Sequence, residues 1–341
     1  MLGTVSWRSK NCTKKNELTD ACIPRRTIAY SYRNGRAASS DWEREASSAP
    51  SLGSGTTAMD LLTAYGTRAA DAKRLTCTVS IGNGRYVLRT VVDHAGPVLH
   101  SSPRHPCKGV VLFLAGLGST KEKLAASKRR DIFQEEGWAW VCADHYNEGE
   151  RRDTSAETLS NRAGWSRSQK AHFWPAIHRT AVTVPLLVDF AMVTYSASNV
   201  VAYGSSMGGD IFLASLCMEQ RLRALVAERS TPDWLRPDST ANVLGEDADG
   251  DALYRTHAPC NRPEMYVGHP TAVLFIVGES DSHVPKAGAE RFIESLRTMG
   301  ADRKMMQSVT MPSGGWEGHI LKDAEEATRL ALEWFGSPAN Y

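Results

Sequence analysis

The sequence predicts an α/β domain, a mostly parallel central sheet with helices on both faces, and three observations point to it. Short apolar runs at 109–114 (GVVLFL), 138–143 (WAWVCA) and 271–277 (TAVLFIV) show no polar alternation, the mark of strands buried on both faces. Between such runs lie stretches with helical spacing, and a strand–helix–strand rhythm requires parallel pairing through crossovers. The chain has 341 residues, 42% hydrophobic and 23% charged, enough to cover a sheet of that kind.

Residues 1–70 are expected to be a poorly ordered N-terminal extension, and 71–341 the folded domain. The first part is rich in Ser, Ala, Arg, Thr and Gly without a sustained period, and 37–57 reads as linker. Its Arg25, Arg26, Arg33 and Arg36 are interspersed with Glu17, Asp20, Asp41, Glu43 and Glu45, more acid than an organelle presequence tolerates. From residue 75 the pattern changes. Segments 76–81 and 85–92 alternate around Gly82-Asn83-Gly84, a hairpin signal. Strand 109–114 follows, then an amphipathic helix over 121–137 and strand 138–143. Residues 171–192 are helical in pattern with a break near Pro185. Strands are expected at 199–203 (NVVAY), 224–228, 271–277 and 305–311, and helices at 209–219, 287–299 and 324–335. In such sheets reactive groups sit at the carboxyl ends of the strands. The loops of interest therefore begin at Ala115, Ala143, Gly204, Arg229, Gly278 and Pro312.

Charge and composition exclude several classes. Forty Lys+Arg stand against 38 Asp+Glu, a formal charge of +2, which gives no dense basic field for nucleic acid or an anionic membrane surface. No run approaches the ~18 uncharged apolar residues of a spanning helix, since the most apolar stretch, 180–193, contains Pro185 and Asp189. The N-terminus has no apolar core followed by a small-residue cleavage site. Seven dispersed cysteines without a CxxC pair read as free thiols of a reducing, cytoplasmic compartment. There is no HExxH, no His/Cys cluster, no EF-hand spacing and no phosphate loop, so neither metal nor cofactor is expected.

The loops carry one consistent chemistry. Gly204-Ser205-Ser206-Met207-Gly208-Gly209 leaves strand NVVAY and opens a helix, the G-x-S-x-G pattern in its strand–turn–helix setting. Gly204 and Gly208 remove side chains that would collide at so tight a turn, leaving the Ser206 hydroxyl exposed above the sheet. A serine hydroxyl needs a base, and the base an orienting acid. Asp281 lies in the loop after strand 271–277, and His319 in the loop between the last strand and the last helix. The order Ser206, Asp281, His319 therefore places nucleophile, acid and base. Asp233 is a rival acid; Glu279 and His283 read as loop or rim residues, and the other eight histidines as surface or packing groups. Two backbone N–H groups, of Leu117 in the loop after GVVLFL and of Met207, are the expected oxyanion donors.

These motifs resemble the α/β-hydrolase superfamily, and within it the prolyl-oligopeptidase-like and dienelactone-hydrolase-like serine esterases. The resemblance spans residues 75–335 and rests on AGLGSTKE (115–122), DHYNEGER (144–151), YGSSMGG (203–209), STPDW (230–234), GESDSHVP (278–285) and Gly318-His319. One departure is that Ala115-Gly116 stands where relatives have His-Gly. The resemblance implies hydrolysis of carboxylic esters or thioesters, and in some branches short peptides, without a cofactor. Segments 148–173 and 229–270 hang over the site either as a small lid or as ordinary surface loop, and Trp234 and Trp316 are candidate walls of a substrate pocket. The expected function is a serine esterase acting on a small-molecule ester or acyl substrate. An acyltransferase or thioesterase is the alternative within the same chemistry, and a catalytically silent binding protein the alternative outside it.

Overall fold

A computed structural model describes residues 76–80, 86–92, 94–103, 105–151, 169–236, 248–302 and 304–337. The chain divides into two units, Met1–Gly55 and Thr56–Tyr341, and every described residue belongs to the second. The expected extension 1–70, the hairpin turn 81–85 and the central parts of both expected lid segments lie outside the described residues.

Strands β1 (Thr76–Ser80) and β2 (Tyr86–Val92) pair antiparallel as the alternation predicts. Strand β3 (Gly96–Ser101), unexpected from the sequence, continues the antiparallel edge. Its His100 is buried yet satisfied, with Nε2 2.9 Å from Thr90 Oγ1 and Nδ1 2.8 Å from Tyr195 Oη. Burial lowers that imidazole to about 4, so it is neutral and functions as a packing group.

Strands β4 (Gly109–Leu114), β5 (Trp138–Ala143), β6 (Val200–Ser205), β7 (Leu222–Glu228), β8 (Ala272–Gly278) and β9 (Met306–Met311) are parallel to one another. The nine-stranded order is β1-β2-β3-β5-β4-β6-β7-β8-β9. The unbroken apolar runs are explained by two separate cores. Val110, Leu112 and Leu114 face one cluster, while Val111 and Phe113 face the other. A strand that must satisfy both, such as GVVLFL, has no polar position left in it.

Helices α1 (Lys121–Ala125) and α2 (Lys128–Glu135) replace the single helix expected over 121–137. The break falls where Ser127 caps the second helix, its Oγ accepting the Arg130 N–H at 3.4 Å. Helices α3 (Gln169–Ala181) and α4 (Val184–Tyr195) divide at 182–183, with Pro185 in the first turn of α4, where a missing N–H costs no helical bond. Then follow α5 (Met207–Ser215), α6 (Ala248–His257), α7 (Ala287–Thr298) and α8 (Ala324–Gly336). Side chains of α3 to α7 fill one core; those of α1, α2 and α8 fill the other.

By length and composition Phe173–Tyr195 could cross a bilayer, with mean hydropathy 1.4, although Arg179, Pro185 and Asp189 interrupt it. Here it is bent into α3 and α4, and Trp174, Ile177, Val184, Leu187 and Phe190 lie in the core, with α4 packed on β4, β5 and β6 and α3 on α5 and α6. Core burial accounts for the hydropathy. Among the described residues Cys107, Cys142, Cys217 and Cys260 are free thiols.

Candidate active site

Ser206 occupies the turn between β6 and α5 with φ 53° and ψ −123°, a conformation that costs energy in any residue with a Cβ. The surrounding backbone holds it there. Its N–H donates to the Glu228 carbonyl at 2.7 Å, and its own carbonyl accepts from Gly209 N–H, Asp210 N–H and Ser230 Oγ. The turn leaves no room at the flanking glycines. A Cβ on Gly204 would stand 2.5 Å from the carbonyl carbon of Gly208, and one on Gly208 2.5 Å from that of Leu114.

His319 and Asp281 arrive from two other loops. Short strands β10 (Ser313–Gly314) and β11 (Ile320–Leu321) pair antiparallel and turn the chain back on itself. Gly318, at φ 80°, packs so tightly on the acid loop that a Cβ would stand 2.8 Å from the Asp281 nitrogen. Ser313 Oγ also accepts the Ser280 N–H at 3.0 Å. As a result His319 Nδ1 lies 2.8 Å from Asp281 Oδ2, and Nε2 lies 3.1 Å from Ser206 Oγ. All three side chains are buried. An ionised carboxylate only accepts, so Nδ1 carries the proton and Nε2 is left to accept from the serine hydroxyl. Burial alone would raise the Asp281 carboxyl, but the His319 ring and the Val284 N–H bring it below the usual carboxylate range.

The remaining expected residues fall in different places. Gly116 abuts the serine, since a Cβ there would stand 3.2 Å from Ser206 Cβ, and Leu117 follows it, half-buried. Met207 is the first residue of α5 and wholly buried, so its N–H is among those a helix leaves unbonded. Trp316 is 56% exposed, its ring 5.0 Å from that of His319 and 4.8 Å from that of His283. Trp234 is wholly buried in the core, its carbonyl accepting from Trp174 Nε1. Asp233 accepts from Tyr254 Oη and the Leu235 N–H instead of meeting His319. Glu279 is exposed. Of the expected lid segments, the described part of the second carries α6, and His257 at its end stacks on His178 of α3 at 4.0 Å.

Three groups around the site have partners that the sequence motifs do not reveal. His283 is buried rather than at the rim, its ring 4.9 Å from His319. Its Nε2 faces Arg236 NH1 at 2.9 Å, and the same guanidinium pairs at 2.5 Å with Asp210 of α5. At the foot of the loop carrying Leu117, the wholly buried Lys121 ammonium lies 2.5 Å from Asp144, 2.7 Å from Glu150 and 2.9 Å from Glu122. Those three carboxylates have the spacing of a cation site, and the lysine supplies the cation. Asp144 also accepts the Lys121 and Glu150 N–H groups, which gives DHYNEGER its part as an anchor. The third group is Glu228 at the end of β7, wholly buried and paired with Arg129, Arg229 and Tyr203.

Burial would raise the Glu228 carboxyl, but the two guanidiniums and the phenol lower it from 4.5 to about 2. A carboxyl held below its unfolded value stabilises the fold above that value and ceases to do so as pH falls through the folded one. The contribution, on the order of 3 kcal/mol for a shift of this size, is therefore expected to disappear between pH 4.5 and about 2. In urea unfolding across that window, the stability gap between the wild type and Glu228→Gln should shrink as pH falls; a constant gap would contradict the assignment.

The segment 189–338, which contains Ser206, Asp281 and His319, matches the prolyl oligopeptidase family. No curated protein matches the sequence. Among solved structures, TT1662 from Thermus thermophilus is similar with a TM-score of 0.59 at 20% identity, over 78% of this chain and 100% of that one. Est1E from Butyrivibrio proteoclasticus is similar with 0.50 at 16%, over 76% and 96%. The acylaminoacyl peptidase of Pyrococcus horikoshii is similar with 0.50 at 12%, over 80% of this chain and 43% of that one. A six-stranded parallel sheet extended by an antiparallel edge, with a serine on the β6–α5 turn, is the α/β-hydrolase fold, and the segment 189–338 that carries all three side chains is similar to serine hydrolases of the prolyl oligopeptidase family.

Proposed function

We propose that the protein is a serine esterase that works through an acyl-enzyme. The observation that carries this reading is the continuous line from Asp281 through His319 to the Ser206 hydroxyl, at 2.8 and 3.1 Å. Ser206 Oγ attacks the ester carbonyl as His319 Nε2 takes its proton, and Asp281 stabilises the imidazolium. The Leu117 and Met207 N–H groups receive the oxyanion, the latter at the positive end of α5. His319 then returns the proton to the leaving alcohol. A water deprotonated by the same nitrogen attacks the acyl-serine, releasing the acid and restoring the hydroxyl. The substrate is a small-molecule ester, and exposed Trp316 is the wall it passes beside the base.

The esterase reading draws on the extent of the fold likeness, which covers 96% of Est1E but 43% of the acylaminoacyl peptidase. A peptidase is the second reading, favoured by the match of 189–338 to the prolyl oligopeptidase family. Assays of the full chain on p-nitrophenyl esters of graded acyl length and on aminoacyl p-nitroanilides separate the two. Ester hydrolysis with no measurable anilide cleavage is expected; comparable kcat/KM on the anilides would assign a peptidase. Added alcohol acceptors should leave the free acid as product, and an ester product in its place would assign an acyltransferase.

A further inference from the structure

The sequence marks Arg229 only as the first residue of a loop, yet its guanidinium touches the supports of two of the three active-site side chains. Nε donates to Glu228 Oε1 at 2.7 Å, NH2 to Ser205 Oγ at 2.7 Å, and NH1 to the backbone carbonyl of His319 at 2.8 Å. Ser205 immediately precedes the nucleophile, and the His319 carbonyl belongs to the residue that carries the base. We infer that Arg229 is a positioning residue for the proposed triad, a bracket that sets the distance between the serine turn and the histidine loop independently of Asp281.

The backbone is arranged for that task. Arg229 sits at φ 51°, a left-handed conformation that arginine adopts only when its surroundings compel it, while its N–H donates to the Ile276 carbonyl at 2.7 Å. The turn brings its side chain back beside Glu228. Its two side-chain acceptors, Ser205 and Glu228, are the last residues of β6 and β7 and are paired with each other in the sheet. One end of the bracket is thus immobilised in the sheet and the other holds the carbonyl of His319. A planar fork with five donors in fixed directions can serve three acceptors together, which a lysine ammonium on a flexible stem cannot. Arg229 touches no reacting atom. Its effect passes through the Ser206–His319 distance, on which proton transfer depends steeply.

This inference rests on the esterase reading, and its test keeps the two apart. In the full chain, Arg229→Gln and Arg229→Lys are measured on a p-nitrophenyl ester beside Ser206→Ala and Arg129→Met. Arg229→Lys retains a charge next to Glu228 and guards against loss of the fold. We expect both Arg229 variants to lower kcat by about 10- to 100-fold, with KM changed by less than about twofold. Guanidinium ion at non-denaturing concentration should restore part of the Arg229→Gln rate. Arg129→Met removes the other guanidinium from Glu228 and should cost stability while leaving kcat within about threefold of wild type. If Ser206→Ala is inactive but the Arg229 variants turn over at the wild-type rate, or if Arg129→Met loses kcat as they do, the bracket is refuted and the esterase reading stands. If Ser206→Ala turns over like the wild type, the esterase reading falls and the bracket with it.

Discussion

Replacing Ser206 by alanine is expected to lower ester turnover by on the order of 10⁴- to 10⁶-fold while leaving the unfolding free energy within about 1 kcal/mol. The asymmetry follows from the local structure. The strained turn is held by backbone bonds from Ser206 N–H to Glu228 and from Gly209, Asp210 and Ser230 to the Ser206 carbonyl, none of which involves the hydroxyl. The hydroxyl's partner is His319 Nε2 at 3.1 Å, so its removal deletes the nucleophile and little else. Asp281→Asn should cost about 10⁴ in kcat, because an amide at 2.8 Å from Nδ1 no longer imposes the tautomer that leaves Nε2 free. Steady-state kinetics together with urea unfolding would check both, and turnover by Ser206→Ala within tenfold of wild type would remove the serine from the mechanism.

The second large effect is on folding. Gly208→Ala is expected to destabilise the chain by at least about 3 kcal/mol, at the severe end for one added methyl. The new Cβ would stand 2.5 Å from the Leu114 carbonyl carbon and 2.6 Å from the Ala115 oxygen. Both are backbone atoms at the end of β4, where strand and helix are packed too closely for either to give way. Relief requires α5 to move off the sheet, or β4 to shift with the loop that carries Leu117. Gly336→Ala supplies the control: a Cβ there meets nothing within 4 Å, and a change within about 0.5 kcal/mol is expected. Equal urea midpoints for the two variants would show that the approach of β4 to α5 is not tight.

Most of the parallel sheet is legible in the sequence because each central strand touches two cores and has no polar face to blur it, as in GVVLFL and TAVLFIV. The edge is less so. Strand β3, GPVLHS, carries a proline and a histidine whose partners Thr90 and Tyr195 become visible only when the chain is folded. The helix expected over 121–137 divides because Ser127 serves as a cap, a local competition that apolar spacing does not register. Ser206, Asp281 and His319 could be picked out because strand ends mark where such residues must lie. Arg229, Arg236, His283 and Lys121 could not. Each is defined by a partner 20 or more residues away, as Arg229 is by the His319 carbonyl and Lys121 by Asp144.

The central claim is that the Ser206 hydroxyl is the group deprotonated and acylated. Reaction of the full chain with a fluorophosphonate, followed by intact mass and peptide mapping, tests it most directly. One adduct per chain on Ser206, formed far more slowly in His319→Ala, is the predicted result. An adduct on another side chain, or an enzyme that hydrolyses esters while Ser206 stays unmodified, would contradict it.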